Sequence, residues 1–394
     1  SAETVQHMMN FIVASEVPAD YVPMMLEEME LDGADQRSDA WGDEVPAERR
    51  AQHKVLVIGG GMSGVLAAYR LQEARIPYIV IEKNASVGGT WFENRYPGAR
   101  VDVGNHLYSY SFEPAHHWSQ YFSQQKELQQ YFEDVVQHHH LQQHFRFNTE
   151  VTGASFDERS GLWTVDTVDK DGVTEQYVAN SVISAVGQLN RPILPDIPGI
   201  DTFAGQWCHS AAWDDSIDCT GKNVVVVGSG ASAFQLVPAI AGQVKHLTVF
   251  QRSAPWMFEN PIYHDSVPEG KKWCLQHLPF YTRWFRFLIF WPACDGAYDT
   301  VFIDPAWPHQ ERSVNEMNDF VYQMFSDYIK GQVGDDEELL KKVIPDYAPM
   351  GKRTLQDNGS WLSALKRDNV DLVAQSVASV SPEGVTAADG SFYP

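Results

Sequence analysis

Two segments of this 394-residue chain repeat the same order of strand, glycine-rich loop, helix and strand. The first reads KVLVIGGGMSG, then the helical text VLAAYRLQEAR, then a second apolar run, YIVIEK. The second reads KNVVVVGSGASAFQ, and HLTVFQR is its next strand. Units of this kind form parallel sheets whose glycine loops lie at the carboxyl edge of the strands. The pattern therefore predicts an α/β protein with two Rossmann-like dinucleotide-binding domains.

The first loop has the spacing G-x-G-x-x-G, with its glycines at Gly59, Gly61 and Gly64. Glycines permit the tight turn and let the backbone approach a pyrophosphate, which the free N–H groups and dipole of a helix N-terminus favour. Glu82 ends the next strand, where a carboxylate accepts a hydrogen bond from a ribose hydroxyl. A loop with a ribose-binding acid suits FAD.

The second loop carries Gly228 and Gly230, with Ala233 in the third position, a variant that the fingerprint allows. No acid ends its second strand, where Arg252 and Ser253 stand instead. An acid would repel a 2′-phosphate, whereas an arginine binds it with two hydrogen bonds. We therefore expect NADPH at this loop. The alternative is that Arg252 is a solvated charge at a strand end.

The organisation of the chain predicts an N-terminal helical extension and linker over residues 1–50 and an FAD-binding domain over 51–196. An NADP-binding domain is expected over 197–380, with a helical, aromatic insertion at about 256–347, and residues 381–394 are expected to begin a return to the flavin domain. Residues 1–32 contain two helical patterns, each with one apolar face that must be buried against another surface. We expect that surface to belong to the partner subunit of a homodimer. These patterns comprise Val5, Met8, Met9 and Ile12, then Val22, Met25, Leu26 and Met29.

The composition limits which partners and which cellular compartment are expected. The net charge is −23, from 29 basic and 52 acidic residues, and no basic stripe interrupts it, so nucleic acid and anionic membranes are not the expected partners. The four cysteines, Cys208, Cys219, Cys274 and Cys294, form no CxxC pair, which favours a reducing, cytoplasmic compartment. The apolar run FYTRWFRFLIFWP contains two arginines and is too short to span a bilayer. It predicts a buried or cleft-lining helix.

Between the two loops, residues 203–214 read Phe-x-Gly-x-x-x-His-x-x-x-Trp-Asp. This segment resembles the fingerprint of the type I Baeyer–Villiger monooxygenases, which are FAD- and NADPH-dependent flavoproteins. GGTWFENRYPGARVD, QRSAPW and GKRTLQDNG resemble other segments of that family, and the N-terminal extension makes the layout most similar to the 4-hydroxyacetophenone monooxygenases. The fingerprint residues are Phe203, Gly205, His209, Trp213 and Asp214.

The resemblance implies a reaction that uses O2 to convert a ketone, aryl or cyclic, into an ester or lactone. It implies that Arg353 stabilises the developing oxyanion, that Asp102 orients Arg353, and that His209 and Trp213 are hinge or anchor residues. Flavin contacts would come from Gly59, Gly61, Ser63, Gly64, Glu82, Gly89, Thr90, Trp91, Asp102, Tyr108 and Val151. NADPH contacts would come from Gly228, Ser229, Gly230, Ala231, Ser232, Ala233, Gln235, Arg252, Ser253 and Lys352.

Three other functions stay open. A flavin monooxygenase that oxygenates nitrogen or sulfur usually has a different aromatic residue at the Trp213 position. A pyridine-nucleotide disulfide reductase needs a redox cysteine pair, which this sequence lacks. An inactive, truncated member is the third, since members of the resembled family continue past GSFYP and we expect an incomplete flavin domain. His140 and His144 have the spacing of a metal pair on a helix, but we expect no metal.

Overall fold

The computed structural model describes residues 1–38, 44–293 and 295–394. Residues 39–43 of the predicted linker, and Cys294, lie outside the described residues. The first three helices belong to the N-terminal extension and are α1 (Ala2–Val13), α2 (Tyr21–Met29) and α3 (Ala47–Gln52). The hydroxyl of Ser1 begins α1 by accepting a hydrogen bond from the backbone N–H of Thr4.

The apolar faces of α1 and α2 are covered by the same chain. Met9 and Met25 are fully buried, and they pack in one cluster with Phe287 and Trp291. The two predicted helices are therefore present, but the faces that suggested a subunit contact are used inside the chain. Met8, which the pattern placed on the inner face, is 40% exposed.

The first sheet is a parallel, Rossmann-type sheet. The chain next forms β1 (Val55–Ile58), α4 (Met62–Glu73), β2 (Tyr78–Ile81), α5 (Thr90–Glu93), α6 (Gln125–His138), β3 (Phe145–Arg146), β4 (Thr149–Asp157), β5 (Leu162–Asp169), β6 (Thr174–Ala179) and β7 (Ser181–Ser184). Strand order is β3-β2-β1-β7, and Val55 of β1 pairs with Tyr78 of β2 and Ser181 of β7. Helices α4 and α6 share a core with β1, where Val65 and Phe132 are fully buried.

An antiparallel sheet, β4-β5-β6, covers another part of the first sheet. Leu56 and Ile81 of the first sheet share a core with Val165 and Ala179 of the meander. Strand β6 was not predicted from the sequence. Its exposed residues alternate with partly buried and buried ones near its end, as in a strand with one solvated face.

The second parallel sheet, its helices and two smaller sheets follow in the chain. Their elements are β8 (Asn223–Val227), α7 (Ala231–Ile240), β9 (His246–Phe250), β10 (Met257–Glu259), α8 (Glu269–His277), α9 (Tyr281–Phe290), α10 (Asp295–Tyr298), α11 (Glu316–Val333), α12 (Glu337–Val343), β11 (Leu355–Asp357), α13 (Ser360–Leu365), β12 (Val370–Val373), β13 (Val377–Ser381), β14 (Gly384–Ala387) and β15 (Phe392–Tyr393). Strands β12-β9-β8 form the sheet, and the last three strands form an antiparallel unit that shares a core with Phe250 and Val373.

Several aromatic residues of the predicted insertion fill a core. Trp256 and Phe325 are buried together with Trp361, and Trp256 donates from its ring nitrogen to the carbonyl of Tyr347, at 2.7 Å. The insertion is not purely helical, because β10 pairs in parallel with β11, from Met257 opposite Leu355 to Glu259 opposite Asp357. No helix in the described ranges has the length and apolar character needed to cross a bilayer.

Two local sequence patterns are misleading. LYSYSF (residues 107–112) alternates aromatic and small residues, which predicts a strand, but it is an irregular loop because its tyrosines are engaged by other segments. Tyr110 donates to the carbonyl of Met62 at 2.5 Å, and its N–H donates to Tyr131 at 2.8 Å. His140 and His144 do not share a helix, since α6 ends at His138 and His140 has a φ of 54°.

Candidate active site

The first glycine loop joins β1 to α4 with almost no free space. Gly59 has a φ of +103°, which other residues rarely adopt, and a Cβ at Gly64 would lie 1.9 Å from the carbonyl oxygen of Gly59. As in any helix, the first N–H groups of α4 lack an intrahelical partner, and after Gly61 no side chain caps them. These groups and the helix dipole form a suitable cradle for a pyrophosphate.

Glu82 lies at the carboxyl end of β2 and is 4% exposed. One carboxylate oxygen accepts from the N–H of Gly60 at 2.5 Å, and the other accepts from the N–H of Asn84 at 2.8 Å. A buried carboxylate needs such donors, because an unpaired charge away from water is costly. The two hydrogen bonds fix Glu82 beside the loop, and its remaining lone pairs are available to ribose hydroxyls.

A cleft of about 380 Å³ opens at the carboxyl edge of the first sheet. It brings together most of the residues predicted to contact flavin, namely Gly59, Gly61, Ser63, Glu82, Gly89, Thr90, Trp91, Tyr108 and Val151. Gly64 lies behind it, in the first turn of α4, and Asp102 is not among the lining residues. A cleft next to free helix N–H groups and a buried acid fits the diphosphate and ribose of FAD.

The cleft also has a wall that the sequence did not predict. It includes residues that follow β7, from Ala185 to Arg191, together with Lys83 and Glu93. Lys83 donates to Asn190 at 2.9 Å and lies 2.9 Å from a carboxylate oxygen of Glu93. The sequence did contain one indication, because a segment that follows a third parallel strand must reach the same edge of the sheet.

Two aromatic residues of the cleft are held to each other. The ring nitrogen of Trp91 donates to the hydroxyl of Tyr108 at 3.1 Å, and the rings meet edge to face with centroids 5.9 Å apart. Burial raises the pKa of the Tyr108 hydroxyl. Tyr108 therefore stays neutral and acts in the cleft as a hydrogen-bonding wall.

The second glycine loop is open. Gly228 has a φ of +112°, and a Cβ at Gly228 or Gly230 would meet nothing within 4 Å. Helix α7 begins directly after Gly230 without a side-chain cap, and the hydroxyl of Ser229 donates to the carbonyl of Ser253 at 3.3 Å. The loop and the end of β9 are thus connected, as a pyrophosphate and ribose site requires.

The side chains predicted for NADPH occupy different environments. Arg252 and Ser253 are exposed, and Arg252 takes part in none of the ion pairs found among the described residues. Lys352 is exposed and lies 4.1 Å from the ring centroid of Tyr347. Ala231 and Ser232 begin α7, Ala233 is buried in its first turn, and Gln235 faces residues 96–100.

Arg353 contacts Asp102. Its guanidinium donates to a carboxylate oxygen of Asp102, while Gln356, in the middle of the following strand β11, donates to the backbone carbonyl of Asp102. Asn260 in turn donates to Gln356 at 2.5 Å. The arginine side chain is 59% exposed, so it is oriented by a carboxylate and still accessible to a ligand.

The fingerprint segment precedes β8 in the chain. Trp213 packs against the large core of the second sheet, and the ring of Phe203 covers Gly205, where a Cβ would lie 2.6 Å away. The Nδ1 of His209 accepts from the N–H of Ala211 at 3.0 Å. Asp214 accepts from the N–H of Ser216 at 2.9 Å, and hydrogen bonds from Ser216 lower the pKa of its carboxyl. These contacts are local and place no proton-transfer group at the cleft.

Glu113, His138 and His139 form a cluster that the sequence did not predict. One carboxylate oxygen of Glu113 lies 3.1 Å from His138 and the other lies 2.8 Å from His139. The imidazole of His138 is 68% exposed and belongs to a solvated helix end. Each ring nitrogen facing the carboxylate is engaged by it, so a surface hydrogen-bonded cluster accounts for the geometry.

The sequence matches the family described as "Pyridine nucleotide-disulphide oxidoreductase" over residues 56–271. It is 38% identical over 393 residues to an uncharacterised monooxygenase, y4iD, of Sinorhizobium fredii, covering 100% of this chain and 58% of that protein. It is 37% identical over 339 residues to a Baeyer–Villiger monooxygenase of Streptomyces coelicolor, covering 86% and 62%. A crystal structure of OTEMO in complex with FAD and NADP superposes with a TM-score of 0.73 at 28% identity, covering 86% and 69%.

The chain therefore belongs to this flavoprotein oxidoreductase family and, within it, to the type I Baeyer–Villiger monooxygenases. The chain spans about three fifths of the length of the curated relatives it matches, between 58% and 62% for those two proteins. The redox cysteine pair of disulfide reductases is absent from the sequence, and Cys208, Cys219 and Cys274 are unpaired in the structure.

Proposed function

We propose that this protein is an FAD- and NADPH-dependent Baeyer–Villiger monooxygenase that inserts one oxygen atom of O2 next to a ketone carbonyl. The contact of Arg353 with Asp102 is the observation that supports the proposal most strongly. It presents a permanent cation that is held by a carboxylate and is still accessible to a ligand. A guanidinium keeps its proton at working pH, so it suits a site where negative charge develops on oxygen.

When bound, FAD supplies the reaction with O2 and NADPH supplies the hydride. The residues of the chain bind and orient these groups. The free N–H groups of α4 and the carboxylate of Glu82 hold the flavin dinucleotide, and Trp91 and Tyr108 form a wall of its cleft. Arg252 recognises the 2′-phosphate that distinguishes NADPH from NADH.

Arg353 donates to the negative charge that develops on the ketone oxygen when the carbonyl carbon is attacked. Asp102 keeps the guanidinium in one orientation, and Gln356 fixes the backbone of Asp102. A preoriented cation does not have to reorganise during the reaction, which is why such a charge accelerates it. We propose aryl or cyclic ketones as substrates, on the resemblance of the layout to the 4-hydroxyacetophenone monooxygenases.

The test is an absorption spectrum of the FAD-loaded chain, followed by anaerobic NADPH and then air with a ketone. We expect the flavin band to bleach with NADPH, faster than with NADH, and an ester or lactone to form once air is admitted. Oxidation of a thioether or amine without ester formation would identify an N- or S-oxygenating enzyme instead. A flavin that NADPH does not reduce would contradict the proposal.

Three further expectations stay proposals: the domain boundaries at residues 50, 196 and 380, a cytoplasmic location, and a homodimer. The inner faces of α1 and α2 are covered within the chain, so a dimer has to use another surface. Phe11, which is 86% exposed on α1, is one residue of such a surface. Light scattering of the chain and of a Phe11→Ser variant tests this, and equal monomeric masses would contradict the dimer.

A further inference from the structure

Gln235 lies in α7, just after the second glycine loop, and was expected to contact NADPH. Its amide instead faces the flavin side of the molecule. The carbonyl oxygen accepts from the hydroxyl of Tyr96 at 2.9 Å and from the N–H of Arg100 at 3.2 Å. The amide nitrogen donates to the carbonyl of Arg100 at 3.0 Å and to the hydroxyl of Tyr263 at 2.9 Å.

A primary amide has two acceptor lone pairs and two donor hydrogens. All four are used in these contacts, so none remains for a phosphate or a nicotinamide. The side chain is half-buried, and breaking any of these hydrogen bonds would leave a polar group poorly satisfied. The arrangement is typical of a structural amide that joins two backbone segments.

The backbone also comes close to α7 at this point. Gly98 has a φ of +83°, and a Cβ there would lie 2.6 Å from the carbonyl oxygen of Gln235 and 3.0 Å from the Cβ of Ala239. Tyr96 and Ala99 are buried in the same core as Phe234 of α7. Residues 96–100 are therefore seated on α7 by packing as well as by hydrogen bonds.

Two residues further along the chain, Asp102 contacts Arg353. We propose that Gln235 is a positioning residue that fixes residues 96–102 on α7 and so sets Asp102 opposite Arg353. The segment comes from the flavin side, whereas α7 begins at the nucleotide loop of the second sheet. Gln235 thus links the geometry of the reacting site to the loop that receives NADPH. The catalytic part of this inference rests on the proposed function.

The experiment compares Gln235→Leu, which has a similar shape without hydrogen bonds, with Tyr96→Phe and Tyr263→Phe. The two tyrosine variants each remove one hydrogen bond of the amide. Tyr263→Phe does so away from the second glycine loop, whereas the hydroxyl of Tyr96 also interacts with Ser232. Arg252→Ala is the matched control, because it changes the proposed NADPH site without touching the amide network. All variants are studied in the FAD-loaded chain.

Two readouts need no turnover: thermal unfolding and the dissociation constant of NADP⁺. We expect Gln235→Leu and Tyr96→Phe each to lower the unfolding temperature. The two substitutions together should lower it by less than the sum of their separate effects, because both break the same hydrogen bond. NADP⁺ affinity should change less than about threefold in both and should fall about tenfold or more in Arg252→Ala. Additive unfolding effects would show that the two side chains do not share a stabilising hydrogen bond and would overturn the inference. A tenfold loss of NADP⁺ affinity confined to Gln235→Leu would show that Gln235 is a cofactor ligand and would overturn it too.

The positioning role is measured in turnover. We expect Gln235→Leu and Tyr96→Phe to lower kcat for ester formation about tenfold, with a smaller change in KM, and to release more hydrogen peroxide per NADPH consumed. A non-additive unfolding effect with unchanged kcat would contradict positioning while leaving the proposed function intact. A chain that oxidises no ketone at all would contradict the proposed function, and the unfolding and NADP⁺ measurements would still decide whether Gln235 holds residues 96–102.

Discussion

The two glycine loops share one order of strand, loop and helix, but they differ in how closely strand and helix approach. In the first loop, a Cβ at Gly64 would lie 1.9 Å from the carbonyl oxygen of Gly59. In the second, the equivalent position is Ala233, and Gly228 and Gly230 face open space. We infer that the first loop suits a dinucleotide that stays bound, whereas the second suits one that enters and leaves.

The charged residues near the two loops differ in the same way: the one beside the crowded loop is buried, and the one beside the open loop is exposed. Glu82 is 4% exposed and held by two backbone N–H groups, so it belongs to a built cleft. Arg252 is exposed and free of ion pairs within the described part of the chain. A preformed site and an open one are what a resident flavin and an exchanging hydride donor need.

Arg353 contacts Asp102, which comes from the flavin side of the molecule. Of the substitutions considered, removal of Arg353 has the largest expected effect. Arg353→Ala should lower kcat for ester formation by about 10²- to 10³-fold, because an oriented cation is lost from the site where negative charge develops. FAD retention should be unchanged. Product formation by gas chromatography is the measurement, with Lys352→Ala as the neighbouring control, expected to raise the KM for NADPH instead. Full ester formation by Arg353→Ala would contradict the role of Arg353.

Gly64→Ala tests the crowding of the first loop. The added methyl group has no room, and forcing α4 away from β1 should cost about 3 kcal/mol of unfolding free energy and release FAD. Ala233→Gly, at the equivalent position of the second loop, should cost no more than about 1 kcal/mol, the difference in helix propensity. Urea unfolding and flavin fluorescence measure both. Equal effects of the two substitutions would remove the distinction between a crowded and an open loop.

Arg252→Ala tests the cofactor preference of the second loop. Loss of hydrogen bonds to a dianionic phosphate should reduce the preference for NADPH over NADH by about 10- to 100-fold, with little change in the use of NADH. The ratio of kcat/KM values for the two cofactors is the measurement. Glu82→Gln is the control, since it should weaken FAD retention and leave that ratio unchanged. A retained NADPH preference in Arg252→Ala would assign the 2′-phosphate to other residues.

The sequence could predict what depends on nearby residues. Both strand–loop–helix units are local patterns of apolar residues and glycines, and the acid or arginine at the end of the next strand follows from the same parallel geometry. Pairs that meet only through the tertiary fold do not follow from local patterns: Arg353 with Asp102 was expected only from the family resemblance, and other such pairs were not expected. Lys83 reaches Asn190 across the cleft, and Gln235 reaches Tyr96 across the two halves.

The irregular segment LYSYSF shows that a local pattern can also predict the wrong structure. Its alternation of aromatic and small residues is typical of a strand, yet Arg286 from α9 donates to the carbonyls of His106 and Ser109, at 2.6 and 3.2 Å. Those carbonyls are satisfied by a distant arginine and not by a neighbouring strand. Tertiary contacts of this kind override a local preference for strand. The segment consequently presents Tyr108 to the flavin cleft from a loop.

His106 directly precedes this segment, and its substitution has the smallest expected effect, confined to the flavin side. It is 2% exposed, its ring meets that of Phe285 edge to face at 5.0 Å, and burial lowers its pKa from 6.5 to about 4. Because the unfolded chain binds the proton more readily, His106 contributes stability above its unfolded pKa. That contribution is lost as pH falls from 6.5 towards about 4.

His106→Phe keeps a ring against Phe285 and removes the titration, so it tests this loss directly. The wild-type chain should lose about 1 kcal/mol of unfolding free energy relative to His106→Phe between pH of about 7.5 and about 5.5. Urea unfolding at both pH values measures the difference, and FAD fluorescence reports whether the first site loosens. NADP⁺ affinity should respond equally to pH in both proteins. A free-energy difference that does not change with pH would mean that His106 titrates alike in the folded and unfolded chain. Protonation of His106 would then not weaken the flavin side of the molecule.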